Sequence, residues 1–201
     1  MSEPRTLLLP FPPGCVVTRL NRREKRFTAV TSDLATGAEV RAHTNNTGTG
    51  LQPEAREYPS FVREAVIGES RLDGLCTAPP ESGLPPLYIE CKNVTLVEDG
   101  QAQFPDAATE RGRKHLAELT RLVAQGCRAA LLFLVQRPDG DCFAPAEAID
   151  PDYAQALGTA LEAGVQAWAW RAHVDERGIH LAGRLPLAPC WAERQKQGNG
   201  S

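Results

Sequence analysis

Glu90 and Lys92 flank Cys91 in the run LYIECKNV, and Asp73 stands 17 residues earlier in SRLDGLC. In an extended strand alternate side chains share a face, roughly 7 Å apart along it. Glu90 and Lys92 then point to one side, and Cys91 points to the other with Ile89. If the strand carrying Asp73 pairs with the strand carrying Glu90, two carboxylates approach each other. Close carboxylates repel unless something positive sits between them. A divalent cation is the usual solution, and Mg²⁺ takes hard oxygen ligands while retaining waters. Such an ion can activate a water and stabilise charge on a phosphodiester. Lys92 would polarise that water or hold the phosphate. Read alone, Glu-x-Lys is also the pattern of an ordinary surface ion pair on a half-exposed strand.

Two sets of cations add to this. Arg111, Lys114 and His115 fall in TERGRKHL, where Arg111 and His115 are spaced i, i+4, as are Glu110 and Lys114. On a helix each pair shares a face that can meet a phosphate backbone, or simply form a solvated polar surface. Arg19, Arg22, Arg23, Lys25 and Arg26 place five cations in eight residues. They suit nucleic-acid phosphates, and equally a charged strand that resists edge pairing.

The elements that must position these groups follow from periodicity. Residues 15–31 read as two short strands or one bent strand, AEVRAHT as a strand and NNTGTG as a loop. LQPEAREYPS is a boundary, and SFVREAVIG fits a short strand or a helix end. SRLDGLC and LYIECKNVTLV are strands, and Asp99-Gly100 signals a hairpin turn into QAQF. A helix is expected over 107–124, with Asp106 as its N-cap, Glu110 in its first turn and Gly126 after its end. CRAALLFLV is a continuous apolar run, as in a central strand covered on both faces. Pro151 opens a second helix. VQAWAWRAHV alternates as a last strand, and AERQKQGNGS reads as a loose tail. Strands alternating with helices give an α/β class (α+β overall), a mixed sheet with helices against it.

The chain has 201 residues with 42% apolar composition, which supports a sizeable core and argues against global disorder. The net charge of -3 does not exclude a nucleic-acid partner, because clustering of cations matters more than their total. The six cysteines form no C-x-x-C pair and read as buried free thiols in a reducing cytosol. No signal peptide or membrane span is expected, and the localisation expected is cytoplasmic.

The stretches SRLD, YIECKNVTL, FPDAATERGRKHL and LLFLVQRPD resemble the bacterial sugar fermentation stimulation protein family, as do KRFTA and HTNNTG near the start. The resemblance implies an N-terminal OB-like barrel and a C-terminal PD-(D/E)xK nuclease-like domain. It implies DNA binding with little sequence preference and a link to the regulation of sugar (maltose) metabolism. Carried over by motif, Asp73, Glu90 and Lys92 take the catalytic positions, Asp73 and Glu90 holding Mg²⁺ or Mn²⁺. Thr109, Arg111, Lys114 and His115 fall in the helix motif facing that site. Family members have several tens of residues between the HTNNTG-like loop and the SRLD-like strand, including a helix. Only LQPEAREYPSFVREAVIGE stands there in this chain, which leaves Glu64 as the candidate for any carboxylate that helix supplied. The expected organisation is a partial OB-like unit over 1–52, a nuclease-like domain over 53–188 and a flexible tail over 189–201. A non-catalytic regulator or a protein-interaction module on the same scaffold is the alternative.

Overall fold

The computed structural model describes residues 53–68, 70–175 and 178–199, and the backbone of 6–10, 18–25, 28–33 and 39–43; side chains are described over 54–68, 70–173 and 181–198. The first four strands are β1 (Thr6–Pro10), β2 (Thr18–Lys25), β3 (Thr28–Asp33) and β4 (Glu39–His43). After a short 3₁₀ turn at Pro53–Ala55 come β5 (Ser60–Ile67), β6 (Ser70–Thr77), β7 (Leu87–Val94), β8 (Leu96–Glu98) and β9 (Gln101–Phe104). Helix α1 (Glu110–Ala124) leads into β10 (Arg128–Val135) and β11 (Cys142–Pro145). Helix α2 (Pro151–Glu162), β12 (Gln166–Asp175), β13 (Gly178–Leu185) and α3 (Pro189–Asn199) follow.

The main sheet has seven strands in the order β1-β13-β12-β10-β7-β6-β5. Its centre, β7-β10-β12, is parallel, and its flanks are antiparallel. Two three-stranded sheets, β11-β9-β8 and β2-β3-β4, accompany it among the described residues. This is the α/β mixed-sheet class that the residue pattern predicts.

The apolar run of β10 is explained by burial on both faces. Leu131, Phe133 and Val135 join Leu116, Leu119 and Leu122 of α1 and Tyr153, Leu157 and Leu161 of α2 in the larger core cluster. Ala130 and Leu132 face the opposite side with Leu87, Ile89, Cys91 and Trp168. Ala55 of the 3₁₀ turn and Tyr58 just after it cover that second cluster. Strand β7 divides in the same way. Leu87, Ile89 and Cys91 point to the second cluster, while Tyr88, Glu90, Lys92 and Val94 lie on the side of α1.

Four local expectations are corrected or resolved. Helix α1 begins at Glu110 and not at 107, and its N-cap is Thr109, whose hydroxyl accepts the Gly112 N–H at 3.1 Å, and not Asp106. The segment after Ala188 is not a loose tail: Pro189–Asn199 is helical, and Trp191 is buried in the larger cluster. Strand β12 is not the last, since β13 turns back along it and pairs with β1 on its other side. The open choice at residues 60–67 resolves to a strand paired with β6. The Asp99-Gly100 turn does join β8 to β9, with φ values of 46° and 77°, as a D-G hairpin requires. Gly126, at φ 83°, ends α1 by donating its N–H to Val123.

Candidate metal and acid site on strand β7

Strands β6 and β7 pair antiparallel with Gly74 opposite Ile89 and Cys76 opposite Leu87. Continuing that register by one residue sets Asp73 opposite Glu90, just where the ladder ends. The Asp73 carboxylate replaces a ladder bond there: its Oδ2 accepts the Cys91 N–H at 2.8 Å. A side chain thus stands in for a backbone carbonyl and fixes Asp73 beside the Glu90–Cys91 peptide.

Glu90 is buried between the sheet and α1, its side chain 4% exposed. Its Oε1 lies 2.6 Å from Lys92 Nζ and 2.5 Å from His115 Nδ1. His115, itself 7% exposed, projects from α1 one turn after Arg111, whose Nε donates to His115 Nε2 at 3.4 Å. A guanidinium cannot accept, so Nε2 supplies the lone pair and Nδ1 carries the proton that reaches Glu90. Burial works against ionisation of Glu90. The His115 hydrogen bond and the Lys92 ammonium outweigh it and hold the carboxyl below the ordinary glutamate value. Glu90 is therefore an anion near neutral pH, with two donors on one oxygen. Its other oxygen, Oε2, is buried with no hydrogen-bond partner. The Tyr153 hydroxyl is likewise buried and unmatched, and burial, with the charges of Glu90 and Asp150 beside it, pushes that phenol up.

An ionised oxygen buried without a partner costs roughly several kcal/mol unless a cation or a donor meets it. Hard carboxylate oxygens, one of them unmatched, suit an ion of the Mg²⁺ class and not a soft metal. Among the described residues, no three His, Cys, Asp or Glu side chains converge to hold an ion. Asp73 and Glu90 supply two carboxylates from neighbouring strands, which is the number Mg²⁺ commonly takes from a protein.

The remaining residues fall into three groups. His115 does not lie on a phosphate-facing surface as its spacing suggested. It stands within the buried stripe of α1, four residues before Leu119 and seven before Leu122, the spacing that turns a helical residue toward the core. Arg111 is exposed, and Lys114 is 71% exposed and pairs with Glu110 at 2.8 Å. Glu64 sits on β5 opposite Asp73, between the pairs Arg63–Gly74 and Ala65–Leu72, and it takes a left-handed φ of 53°. Its side chain is 68% exposed, with Arg71 at 3.9 Å. Thr109 is a buried helix cap and touches Asp150 rather than Glu90. Arg19, Arg22, Arg23 and Lys25 lie along β2, where only the backbone is described, and Arg26 lies outside the described residues, as do residues 44–48 of the HTNNTG motif.

Sequence reasoning missed the Asp150–Arg113 pair, at 3.1 Å, which locks α1 to α2. The signal was present: Asp before Pro at a helix start is an N-cap pattern. No sequence signal marks Tyr153 as a neighbour of Glu90. No helix among the described residues is long and apolar enough to cross a membrane.

Comparison with known proteins bears on the family and the fold. A family model described as the sugar fermentation stimulation protein RE domain matches residues 38–178. A sugar fermentation stimulation protein homolog of Maridesulfovibrio salexigens is 43% identical over 245 residues, taking in 94% of this chain and 100% of the relative. That alignment is longer than this 201-residue chain, so the relative carries segments that this chain lacks. Homologs from Geobacter sulfurreducens and Syntrophobacter fumaroxidans are 41% and 52% identical, over 88% and 69% of this chain. The matches cover 78% and 51% of those relatives. Among solved structures, that of Pyrococcus furiosus SfsA in complex with Ca²⁺ superposes with a TM-score of 0.76 at 25% identity. It covers 91% of this chain and 99% of that one.

Proposed function

The chain belongs to the sugar fermentation stimulation protein family, and from that premise we propose that it binds DNA with little sequence preference and carries a nuclease-like divalent-metal site on Asp73 and Glu90. The observation that carries the reading is the state of Glu90: ionised, buried, with two donors on one oxygen and the other unmatched. The Pyrococcus relative, solved with Ca²⁺, adds a precedent for a hard divalent ion in this fold. Mg²⁺ or Mn²⁺ at this position would supply Lewis-acid stabilisation of a phosphodiester and a more acidic water. The chain's own residues do the rest. Asp73 and Glu90 hold and neutralise the ion. Lys92, 12% exposed, keeps its ammonium on the Glu90 side of the strand, placed to orient a water or a phosphate oxygen. Arg111, Lys114 and the cations at 19–26 supply contacts to the DNA backbone, which carry no sequence information. A role in regulating sugar metabolism is the corresponding cellular proposal.

A second reading keeps the DNA binding or a protein partner and drops the chemistry. It is favoured by the engagement of Asp73 with the Cys91 N–H and of Lys92 with Glu90, which occupies both groups inside the protein. Calorimetry with Mn²⁺ separates the two. The wild type should bind, Asp73→Asn and Glu90→Gln should not, and Lys92→Ala should bind while losing any cleavage of DNA. Equal heats for wild type and Asp73→Asn would leave the non-catalytic reading.

A further inference from the structure

His115 is a buried histidine on the inner edge of α1 whose imidazole is pinned from both ends, by Arg111 at Nε2 and Glu90 at Nδ1. We propose that His115 is a positioning residue for Glu90, saturating Oε1 together with Lys92 so that Oε2 is the oxygen offered to a divalent ion. The inference rests on the metal reading above.

The argument is geometric. A carboxylate carries about four lone-pair sites and can turn about its last torsion, which is broad. Left alone, Glu90 could present either oxygen, or both, to a cation. His115 Nδ1 and Lys92 Nζ meet on the same oxygen, at 2.5 Å and 2.6 Å, which fixes the plane of the carboxylate. Lys92 comes from the same strand, two residues on, and is a flexible point donor. His115 comes from a different element and is a rigid ring set on a packed helix. Its neighbour Leu116 is fully buried, so α1 cannot roll without breaking the core. The ring thus transmits the helix position to the carboxylate. Groups that hold a metal-binding side chain from behind are commonly worth 10–100-fold in metal affinity.

The test uses two substitutions that differ in where they place a donor. An asparagine amide nitrogen sits at the position of His Nδ1, whereas a glutamine amide reaches toward the position of Nε2. In the full chain, His115→Asn should keep Mn²⁺ affinity within about threefold of wild type. His115→Gln and His115→Leu should each lose about 10–100-fold, the range for such supporting groups. The infrared carboxylate bands of the Mn²⁺-loaded protein should shift in His115→Leu as Oε1 is released, and not in His115→Asn. Equal affinity for His115→Leu and wild type overturns the proposal, and so does rescue by Gln as good as by Asn. If the wild type itself takes no Mn²⁺, the metal reading falls and this proposal falls with it. If it binds and His115→Leu makes no difference, only the positioning role is lost. A downfield His115 Nδ1–H proton signal in the metal-free protein, moved by Glu90→Gln, supports the bond independently, and its absence counts against it.

Discussion

Asp150 and Thr109 lie 41 residues apart in sequence and are joined by a 2.7 Å hydrogen bond from the Thr109 N–H to Asp150 Oδ2. The other oxygen of Asp150 caps α2 by accepting the Tyr153 N–H at 2.9 Å, and Arg113 of α1 closes on both oxygens at 3.1 and 3.2 Å. One buried carboxylate therefore caps one helix and ties down the cap residue of the other. It holds the first turn of α1, and with it the Arg111–His115 segment, against the rest of the core.

Removing this carboxylate should be costly. Asp150→Ala deletes a cap worth about 1 kcal/mol and leaves the buried Thr109 N–H without an acceptor, a further loss of about 1–3 kcal/mol. Asp150→Asn keeps one acceptor oxygen and should lose less. Urea unfolding of both variants measures it, and an alanine variant within 0.5 kcal/mol of wild type (roughly the scatter of neutral surface changes) would contradict the assignment.

The same group sets an acid limit. Burial would raise the Asp150 carboxyl, but the N–H groups of Thr109 and Tyr153 and the Arg113 guanidinium hold it below the ordinary aspartate value of 3.8. A depressed folded value means the stabilisation is complete above 3.8 and disappears as pH falls below it through the folded value. Unfolding midpoints measured from about pH 7 down to about pH 2.5 should drop more steeply for wild type than for Asp150→Ala. Parallel curves would show that Asp150 does not carry the linkage.

Gly112 gives a case where two effects oppose. Alanine in a helix is better than glycine by about 0.5–1 kcal/mol. A Cβ at residue 112, however, would stand 2.7 Å from Thr109 Cγ2 and 3.0 Å from Tyr153 Cε2. Overpacking of that kind costs about 1–3 kcal/mol. Gly112→Ala should therefore lower the Tm despite the propensity gain, and a raised Tm would mean that α1 and α2 can move apart at no cost.

Leu116 and Leu132 lie in opposite core clusters and are 1% and 0% exposed. An aspartate at either site buries an unpaired charge, so Leu116→Asp and Leu132→Asp should abolish folding. Glu118→Ala breaks an i, i+3 pair with the half-exposed Arg121 and should change little. Circular-dichroism melts of the three variants decide this, and a normal melt for Leu132→Asp would refute the two-faced burial of β10.

DNA binding should be weak, indifferent to sequence and sensitive to salt. Roughly four or five phosphate contacts from the 19–26 cations and α1 predict a loss of about 150- to 500-fold between about 50 and 200 mM salt. Binding isotherms across ionic strength would show it. A flat response would remove the backbone-contact account.

The central strands and helices were legible because burial on both faces leaves an unmistakable apolar run in β10 and a 3.6-residue stripe in α1. The shared face of Glu90 and Lys92 was legible for the same reason, since strand periodicity is two. Three other features were missed. Strand β13 does alternate, with Ile179, Leu181 and Leu185 against His180 and Arg184, but Gly183 interrupts the run and only the pairing with β1 and β12 gives it a place in the sheet. Helix α3 is polar on most of its surface and is held through Trp191, a tertiary contact no local pattern encodes. The burial of His115 was written in its spacing to Leu119 and Leu122, and a polar residue within an apolar stripe was read for its charge and not for its position.

The pairing of Thr6–Pro10 with Gly178–Leu185 has a consequence for synthesis. A ribosome makes Thr6–Pro10 long before the partner strand, which follows only from residue 178. At about 5–20 residues per second, the interval lasts roughly ten to thirty seconds. Over that time β1 has no β13 to receive its N–H and C=O groups, and an open strand edge recruits other chains. The seven-stranded sheet is therefore closed late, by a strand made early, and translation that pauses before codon 178 leaves a product with that edge of its sheet unformed.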